Sequence, residues 1–321
     1  MKNRLFARTL NLHRKRLQLW STVKLSMVLL LTFFMAQCGL SERSMIEHKN
    51  EAQEEDPPSL SKSKTTKHII FDLGGVMIHF PKIRPLFYIG IGNILWYTLI
   101  KRKNPTKILY HLLDIAYKMV DEKEKTDIVF KDHVMFRNHP LTALTKEALL
   151  GHVTCNQLLK ATKEALVKAQ AKKLIEPRER MILEKFADLI IDPKTGTQYL
   201  EISSSCVSLI RKLKEDKNNK LYILSNWPAD SFELLSHLHN DVFNLFYGMV
   251  ISSHVHLIKP DKKIYEKLLV KYNLDPRCCY FVDDQQENLD AAKDVGIHGV
   301  LWKNASDAEI KLKKLHVIED V

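Results

Sequence analysis

Short hydrophobic runs alternate with helical patterns in the C-terminal third of the chain. The runs at 220–224, 249–252, 279–282 and 299–302 are too short for typical helices and predict strands, whereas 207–215, the segment from 229, 262–272 and 289–295 predict helices. Regular alternation of this kind is typical of a doubly wound parallel sheet covered by helices. The pattern therefore predicts an α/β, Rossmann-like fold.

A further hydrophobic run lies well before these elements, at Lys67–Phe71, and is followed by Asp72. It is typical of a buried parallel strand, which would deliver the carboxylate to the carboxyl end of the sheet. Open α/β sheets keep their active sites at that end. Gly74 and Gly75 allow the next turn to be sharp and a ligand to approach the main chain.

Between this first strand and the rest lies a segment rich in helix formers and aromatic residues, 82–199, for which we predict a mostly helical module without strands. Within it, apolar positions recur at helical spacing from 154 to 174, which predicts a core-packing stripe rather than a cofactor site. The stripe consists of Leu158, Leu159, Ala161, Thr162, Ala165, Leu166 and Ala169. The sheet domain is thus expected at 67–81 and 200–305, with a C-terminal tail at 306–321.

Residues 1–40 bear on the cellular location of the protein. A basic segment that ends at Lys24 precedes an uncharged stretch, 25–41, which predicts an export signal or an uncleaved membrane anchor. Either would place the folded part on the periplasmic or extracytoplasmic side, with membrane contact through 25–41. The alternative is a buried helix of a cytoplasmic protein. Cys38 follows Met35-Ala36-Gln37 and resembles a lipidation site, although Gln37 replaces the usual small residue. Residues 41–66, rich in Glu, Ser, Lys and Pro, predict a disordered linker.

The net charge of +11 does not indicate nucleic-acid binding. Seven of these charges precede the first acidic residue, Glu42, so the remainder carries 11 minus 7, or +4, without a basic stripe interleaved with aromatic residues. The five cysteines include no pair with metal-site spacing, and an odd number is a poor disulfide framework. We expect Cys155, Cys206, Cys278 and Cys279 to be buried free thiols.

Three later strand ends carry candidate chemistry. Ser225 and Asn226 follow one strand, Lys259 precedes a proline and a helix start, and Asp283 and Asp284 follow another strand. Taken singly, these are equally typical of a turn, a surface charge and a helix N-cap. Together with the carboxylate after the first strand, they predict a nucleophile, an oxyanion-binding hydroxyl and amide, a lysine and an acidic pair at one sheet edge.

These motifs resemble those of the haloacid dehalogenase (HAD) superfamily of hydrolases, in the subfamily with a helical cap inserted after the first motif. The resemblance covers 67–304 and is strongest at SNWPADSFELL, IKPDKKIYEKLL and YFVDDQQENLDAAKDVGI, and Gly151-His152-Val153-Thr154 resembles a cap motif. The Asp-Leu-Gly-Gly motif looks like that of the sugar-1-phosphate phosphatases. The resemblance implies that the helical module, 82–199, is the cap.

The resemblance also implies a function and a role for each site residue. The protein would be a Mg²⁺-dependent phosphatase of a small phosphorylated metabolite that passes through an aspartyl-phosphate. The implied roles are Asp72 as nucleophile, Ser225, Asn226 and Lys259 as phosphate binders, Lys259 as charge stabiliser, and Asp72, the Gly74 carbonyl, Asp283 and Asp284 as the metal site. Oligomeric state is not predicted.

Two positions depart from the family pattern. Gly74 stands where family phosphatases carry a second aspartate as general acid, and His256 stands where they carry glycine. His79 is a conceivable substitute acid, although we favour a packing role. Two alternatives therefore stay open: a dehalogenase, against which the acidic pair argues, and a catalytically weak protein that binds phosphate or a partner.

Overall fold

A computed structural model describes residues 66–79, 84–104, 107–119, 135–136 and 139–318. All of them belong to the second of the two units into which the chain divides, Lys62–Val321. The predicted signal or anchor at 1–40, the lipidation site at Cys38 and the predicted linker up to residue 65 lie outside the described residues. Within the described ranges, no helix combines the length and the apolar character needed to cross a membrane.

In chain order the described strands are β1 Lys67–Phe71, β2 Ile78–His79, β3 Met135–Phe136, β4 His139–Pro140, β5 Glu201–Ile202, β6 Asn219–Ser225, β7 Gly248–Ile251, β8 Cys279–Asp283 and β9 His298–Leu301. Five of them are parallel and form the central sheet in the order β7-β6-β1-β8-β9. The predicted α/β, Rossmann-like fold is confirmed. Because β1 lies between β6 and β8, with Phe71 opposite Ile223 and Val282, the polar residues after these three strands meet at one edge.

The helices alternate with the sheet strands much as the periodicity predicts. The helices of the sheet domain are Ser204–Glu215, Ala229–Leu238, Asn240–Phe243, Ser252–Val255, Lys262–Tyr272, Gln286–Lys293 and Ala305–Lys314, with a 3₁₀ turn at Pro276–Cys278. The predicted bounds of 262–272 are confirmed, whereas the last predicted helix, 289–295, begins three residues earlier. Three of the four predicted buried thiols are buried, and Cys278 is partly exposed.

The sheet has a hydrophobic cluster on each face because side chains alternate along a strand. Ile69 and Phe71 pack in one cluster and Ile70 in the other. Ala308 and Leu312 belong to the first cluster, so the region predicted only as a tail contributes a helix to the core.

The inserted module is helical, as its composition predicts. Its helices are Arg84–Ile89, Ile91–Leu95, Ile108–Met119, Ala143–Leu149, Cys155–Ala171, Pro177–Ile191 and Pro193–Thr197, with a π-helical turn at Trp96–Ile100. The short antiparallel pair β3 and β4 was not predicted. In the apolar stripe, Leu166 and Ala169 pack in the hydrophobic cluster of the module. However, Leu158, Ala161, Thr162 and Ala165 line a cavity, so for them core packing is not the whole role.

The module leaves and rejoins the sheet domain through one two-stranded ribbon. β2 and β5 pair antiparallel, with Ile78 opposite Ile202 and His79 opposite Glu201. The Ser203 amide adds a hydrogen bond to the Met77 carbonyl at 2.8 Å. His79 is exposed in this ribbon, so the expected packing role is wrong.

Candidate active site

Asp72 begins the loop after the central strand. Its amide still donates to the Val282 carbonyl at 2.9 Å, as in a sheet, which fixes the backbone from which the side chain projects. The side chain is almost fully buried. Against the rise that burial causes, the Ser225 hydroxyl at the end of the neighbouring strand lowers the pKa of this carboxylate, and Lys259 Nζ lies 2.9 Å from Asp72 Oδ1. The structure thus brings together three predicted site residues.

The Lys259 ammonium bridges two carboxylates. Besides Asp72, it contacts Asp283 Oδ2 at 2.7 Å, and it lies 5.2 Å from the centre of the Phe281 ring. The lysine is 2% exposed. At this depth the two short contacts compensate for the loss of hydration, so the side chain has a fixed place between the carboxylates.

Asn226 holds the main chain of that lysine. Its Nδ2 donates to the Lys259 carbonyl at 3.0 Å, and its Oδ1 accepts from the Lys259 amide at 2.8 Å. The side-chain amide therefore positions Lys259. Phosphate binding by Asn226 stays a prediction, and it would fall to the main chain of the residue.

Asp283 is fully buried and held from several sides. Oδ1 accepts from the Gln285 amide at 2.8 Å, and Asn288 Nδ2 lies 3.0 and 3.1 Å from the two carboxylate oxygens. Asn288 was not predicted. The only feature of the sequence that points to it is its position in the polar run after the acidic pair. This run begins the helix Gln286–Lys293, whose first turn lies near the carboxylates.

The donor set suits a divalent cation. One oxygen each of Asp72, Asp283 and Asp284 lies within 4.8 Å of the others. Two of these carboxylates, Asp72 and Asp283, share the ammonium of Lys259, which leaves a formal charge of −1 on this group of three side chains. Burial raises the pKa of Asp72, Lys259 lowers it, and Asp283 raises it further, so that the pKa stands above its ordinary value. A hard cation such as Mg²⁺, which prefers carboxylate oxygens and water, would balance this charge.

Gly75 is required by the position of the acidic pair. Its φ is +81°, and a Cβ there would lie 2.4 Å from Asp284 Oδ2. Only glycine adopts this conformation without strain while leaving room for the carboxylate. Gly74 differs, because its nearest neighbour, a Trp227 ring carbon, would be 3.6 Å from a Cβ. Glycine is therefore sterically required at position 75, whereas a Cβ at position 74 would make only an ordinary contact.

Comparison with known proteins identifies the family of this chain. A family model described as haloacid dehalogenase-like hydrolase matches residues 66–296, which is more than half of the chain. The protein belongs to the HAD-like hydrolase family. The matched range includes the first part of the sheet domain, the inserted module and the second part as far as residue 296, and all the site residues named above lie within it.

Two relatives have names that concern hydrolysis. The sesquiterpene phosphatase astK of Aspergillus oryzae is 31% identical over 119 residues, which cover 37% of this chain and 60% of that protein. The bifunctional epoxide hydrolase 2 of Rattus norvegicus is 23% identical over 174 residues, covering 53% of this chain and 30% of that protein. The chain thus spans less than two thirds of the length of these relatives.

Solved structures of HAD enzymes also match. A HAD family enzyme of Bacteroides thetaiotaomicron has 17% identity and a TM-score of 0.45, covering 75% of this chain and 95% of that one. A magnesium and phosphate complex of that enzyme has 16% identity and a TM-score of 0.42, covering 74% and 94%. The L-2-haloacid dehalogenase of Xanthobacter autotrophicus has 16% identity and a TM-score of 0.40, covering 74% and 77%.

As in other HAD proteins with an inserted module, we call residues 82–199 the cap. The core contacts the cap at main-chain atoms. Ser252 Oγ donates to the Leu149 carbonyl at 2.6 Å, and His256 Nδ1 lies 2.7 Å from the Leu150 carbonyl. The Asp230 carboxylate accepts from the Cys155 amide at 2.9 Å. These bonds hold the start of cap helix Cys155–Ala171 and the loop before it against the core.

His256 contributes to this contact from an unusual backbone conformation. Its φ of 55° lies in the left-handed region, which glycine adopts most readily and where the family pattern has glycine. The His256 ring stacks on that of His152 in the cap, with the ring centres 5.2 Å apart. The departure at His256 therefore adds a side-chain contact to the cap.

Proposed function

We propose that this HAD-like hydrolase is a Mg²⁺-dependent phosphomonoesterase in which Asp72 is the nucleophile. The observation that carries the proposal is a buried carboxylate held 2.9 Å from a buried ammonium beside a second and a third carboxylate. The name of the phosphatase relative supports the same reaction class. A small phosphorylated metabolite is the proposed substrate.

The proposed chemistry has two steps. An Asp72 oxygen attacks phosphorus, the bond to the alcohol oxygen breaks, and the phosphoryl group is transferred to the carboxylate. Water then attacks the aspartyl-phosphate and releases inorganic phosphate. Lys259 offsets negative charge as the two anions approach, and we propose that the Ser225 hydroxyl and the main-chain amide of Asn226 bind phosphoryl oxygens.

Mg²⁺, bound by Asp72, Asp284 and the Gly74 carbonyl, would lower the electrostatic barrier between the two anions. We propose that Asp283 supports this site from behind, since Lys259, Gln285 and Asn288 already occupy its oxygens. Because Gly74 supplies no acid, the departing alkoxide would take its proton from water.

The test is phosphate release from p-nitrophenyl phosphate, with Mg²⁺ or with EDTA, by the wild type and by Asp72→Asn. We expect turnover only for the wild type with Mg²⁺, and a phosphorylated peptide containing Asp72 after rapid quenching. His79→Ala, a change in the exposed ribbon, is the control and should retain activity. Metal-independent turnover of a 2-haloacid would favour a dehalogenase. Phosphate binding without turnover would favour a binding protein.

We further propose that residues 1–40 export or anchor the protein, which places the hydrolase on the extracytoplasmic side. The support is the uncharged stretch at 25–41 after a basic segment. Fractionation of cells that express the full chain tests this. Recovery of the intact chain in the cytoplasmic fraction would contradict it.

A further inference from the structure

A cavity of about 490 Å³ lies between the cap and the core. Its volume falls within the range of small-molecule sites in proteins. The cap supplies most of an apolar wall, including Leu112, Leu158 and Leu189, and the core closes it with Trp227 and Pro228. A cavity of this size with such a wall favours an apolar ligand.

Several polar groups in the wall form hydrogen bonds within the protein. Thr162 and Thr197 donate to the carbonyls four residues earlier in their helices, at 2.8 and 2.7 Å. The Thr142 hydroxyl bonds to that of Thr145 at 2.8 Å. The Asp192 carboxylate accepts from the amide and hydroxyl of Thr195, at 3.0 and 2.5 Å. The hydroxyl hydrogens of Thr162 and Thr197 are thus used within their helices, so a ligand with several hydroxyl groups finds few donors here to replace its hydration.

Charged residues mark the side of the cavity that faces water. Glu164 and Lys168 line it and are exposed. Both lie on cap helix Cys155–Ala171, whose inward-facing residues Leu158, Ala161 and Ala165 line the apolar part. One helix therefore provides an apolar wall and a charged rim.

Trp227 connects the cavity with the chemical centre. Its ring lines the cavity and lies over Gly74, 3.6 Å from the position of a Cβ there. Two hydrogen bonds fix the residue: Nε1 donates to Ser231 Oγ at 3.2 Å, and the amide donates to Ser252 Oγ at 3.0 Å. Trp227 therefore lies between the cavity and the loop that follows Asp72, and the cavity also reaches Asn226, the residue after Ser225.

We propose that the substrate is the phosphomonoester of an aliphatic alcohol, with its hydrocarbon chain in this cavity and its phosphate at Asp72. The inference rests on the proposed function, whose reaction it leaves unchanged. It also gives the absence of an acid at Gly74 a structural context, because the indole ring of Trp227 occupies the space beside that residue.

The experiment compares kcat/KM for butyl, hexyl and octyl phosphate with that for glucose 1-phosphate. Burial of one methylene contributes about 0.8 kcal/mol, or about a fourfold gain. We expect kcat/KM to rise on the order of 10²-fold from butyl to octyl phosphate, and the sugar phosphate to be the poorest substrate. A flat series, or preference for the sugar phosphate, would overturn the inference.

A pair of variants on the same helix locates the effect. Ala165→Phe fills the cavity and should remove most of the dependence on chain length, whereas Val167→Phe, on the exposed side, should retain it. Equal dependence in both would overturn the inference. Urea unfolding checks that each variant folds, and Ala161→Phe replaces the first if it does not.

Binding separates this inference from the proposed function. Calorimetry with Asp72→Asn should show octyl phosphate binding more tightly than butyl phosphate, and Ala165→Phe in that background should abolish the difference. If the wild type hydrolyses p-nitrophenyl phosphate but neither binding nor turnover depends on chain length, only the inference fails. If no phosphate ester is turned over but binding depends on chain length, the proposed function fails and the cavity assignment stands.

Discussion

Replacing Lys259 with methionine would leave two buried carboxylates facing each other. The ammonium lies 2.9 Å from Asp72 and 2.7 Å from Asp283, and all three side chains are at most 6% exposed. Methionine has a similar length but no charge, so the change removes the cation while retaining much of the packing volume. The Phe281 ring would still have a neighbour.

The size of the effect follows from burial. Removing one partner of a buried ion pair costs about 3 to 5 kcal/mol, because an uncompensated charge stays buried. Lys262→Met is the matched control, since its ion pair with Asp294, also at 2.9 Å, joins side chains that are 57% and 56% exposed. Exposed pairs contribute only about 0 to 1 kcal/mol. We therefore expect the two variants to differ by about 2 to 5 kcal/mol.

Urea unfolding in EDTA measures the difference. Burial already raises the pKa of Asp72, and Lys259→Met removes the group that opposes this rise. The folded variant then binds a proton that the unfolded chain releases, so its deficit grows as pH rises from the acid range to neutrality. Added Mg²⁺ should stabilise it, by about 2.7 kcal/mol at a hundred times the dissociation constant. A loss in EDTA no larger than that of Lys262→Met would refute this electrostatic reasoning.

Two further variants test the surroundings of the site. Gly75→Ala should weaken Mg²⁺ binding and destabilise the fold by more than about 1 kcal/mol, because its Cβ would lie 2.4 Å from Asp284 Oδ2. Gly74→Ala is the control. If titration calorimetry and urea unfolding show equal effects for the two variants, the steric argument is contradicted. Asn288→Ala should cost about 1.5 to 3 kcal/mol of unfolding free energy, since a buried carboxylate loses its amide donor; a loss below about 0.5 kcal/mol would contradict that role.

The sequence was sufficient to predict which residues meet at the sheet edge. Short hydrophobic runs identified the strands, and parallel strands place their carboxyl ends together, so Asp72, Ser225 and Asp283 had to be neighbours once the strand order allowed it. Lys259 follows no strand directly. Its place at this edge was predicted from the proline and the helix start that follow it, and the structure explains it by the two hydrogen bonds of Asn226 to its main chain.

Other features depend on tertiary contacts that periodicity does not encode. A helical stripe shows which face of a helix is buried, but not whether a neighbour fills the space in front of it. Leu166 and Leu158 occupy the same stripe, yet only Leu158 lines the cavity. Similarly, Asn288 is one polar residue in a polar run, and only the turn of its helix towards Asp283 gives it a function.

The way the core holds the cap bears on how such proteins can diversify. The Leu149 and Leu150 carbonyls and the Cys155 amide are present whatever side chains these residues carry, so these three bonds depend on the path of the cap chain. The stacked rings of His256 and His152 add a contact that depends on a cap side chain. Substitutions along the inner faces of the cap helices can therefore alter the cavity without displacing the cap from the core. A library confined to those faces would vary substrate preference over an unchanged reaction centre.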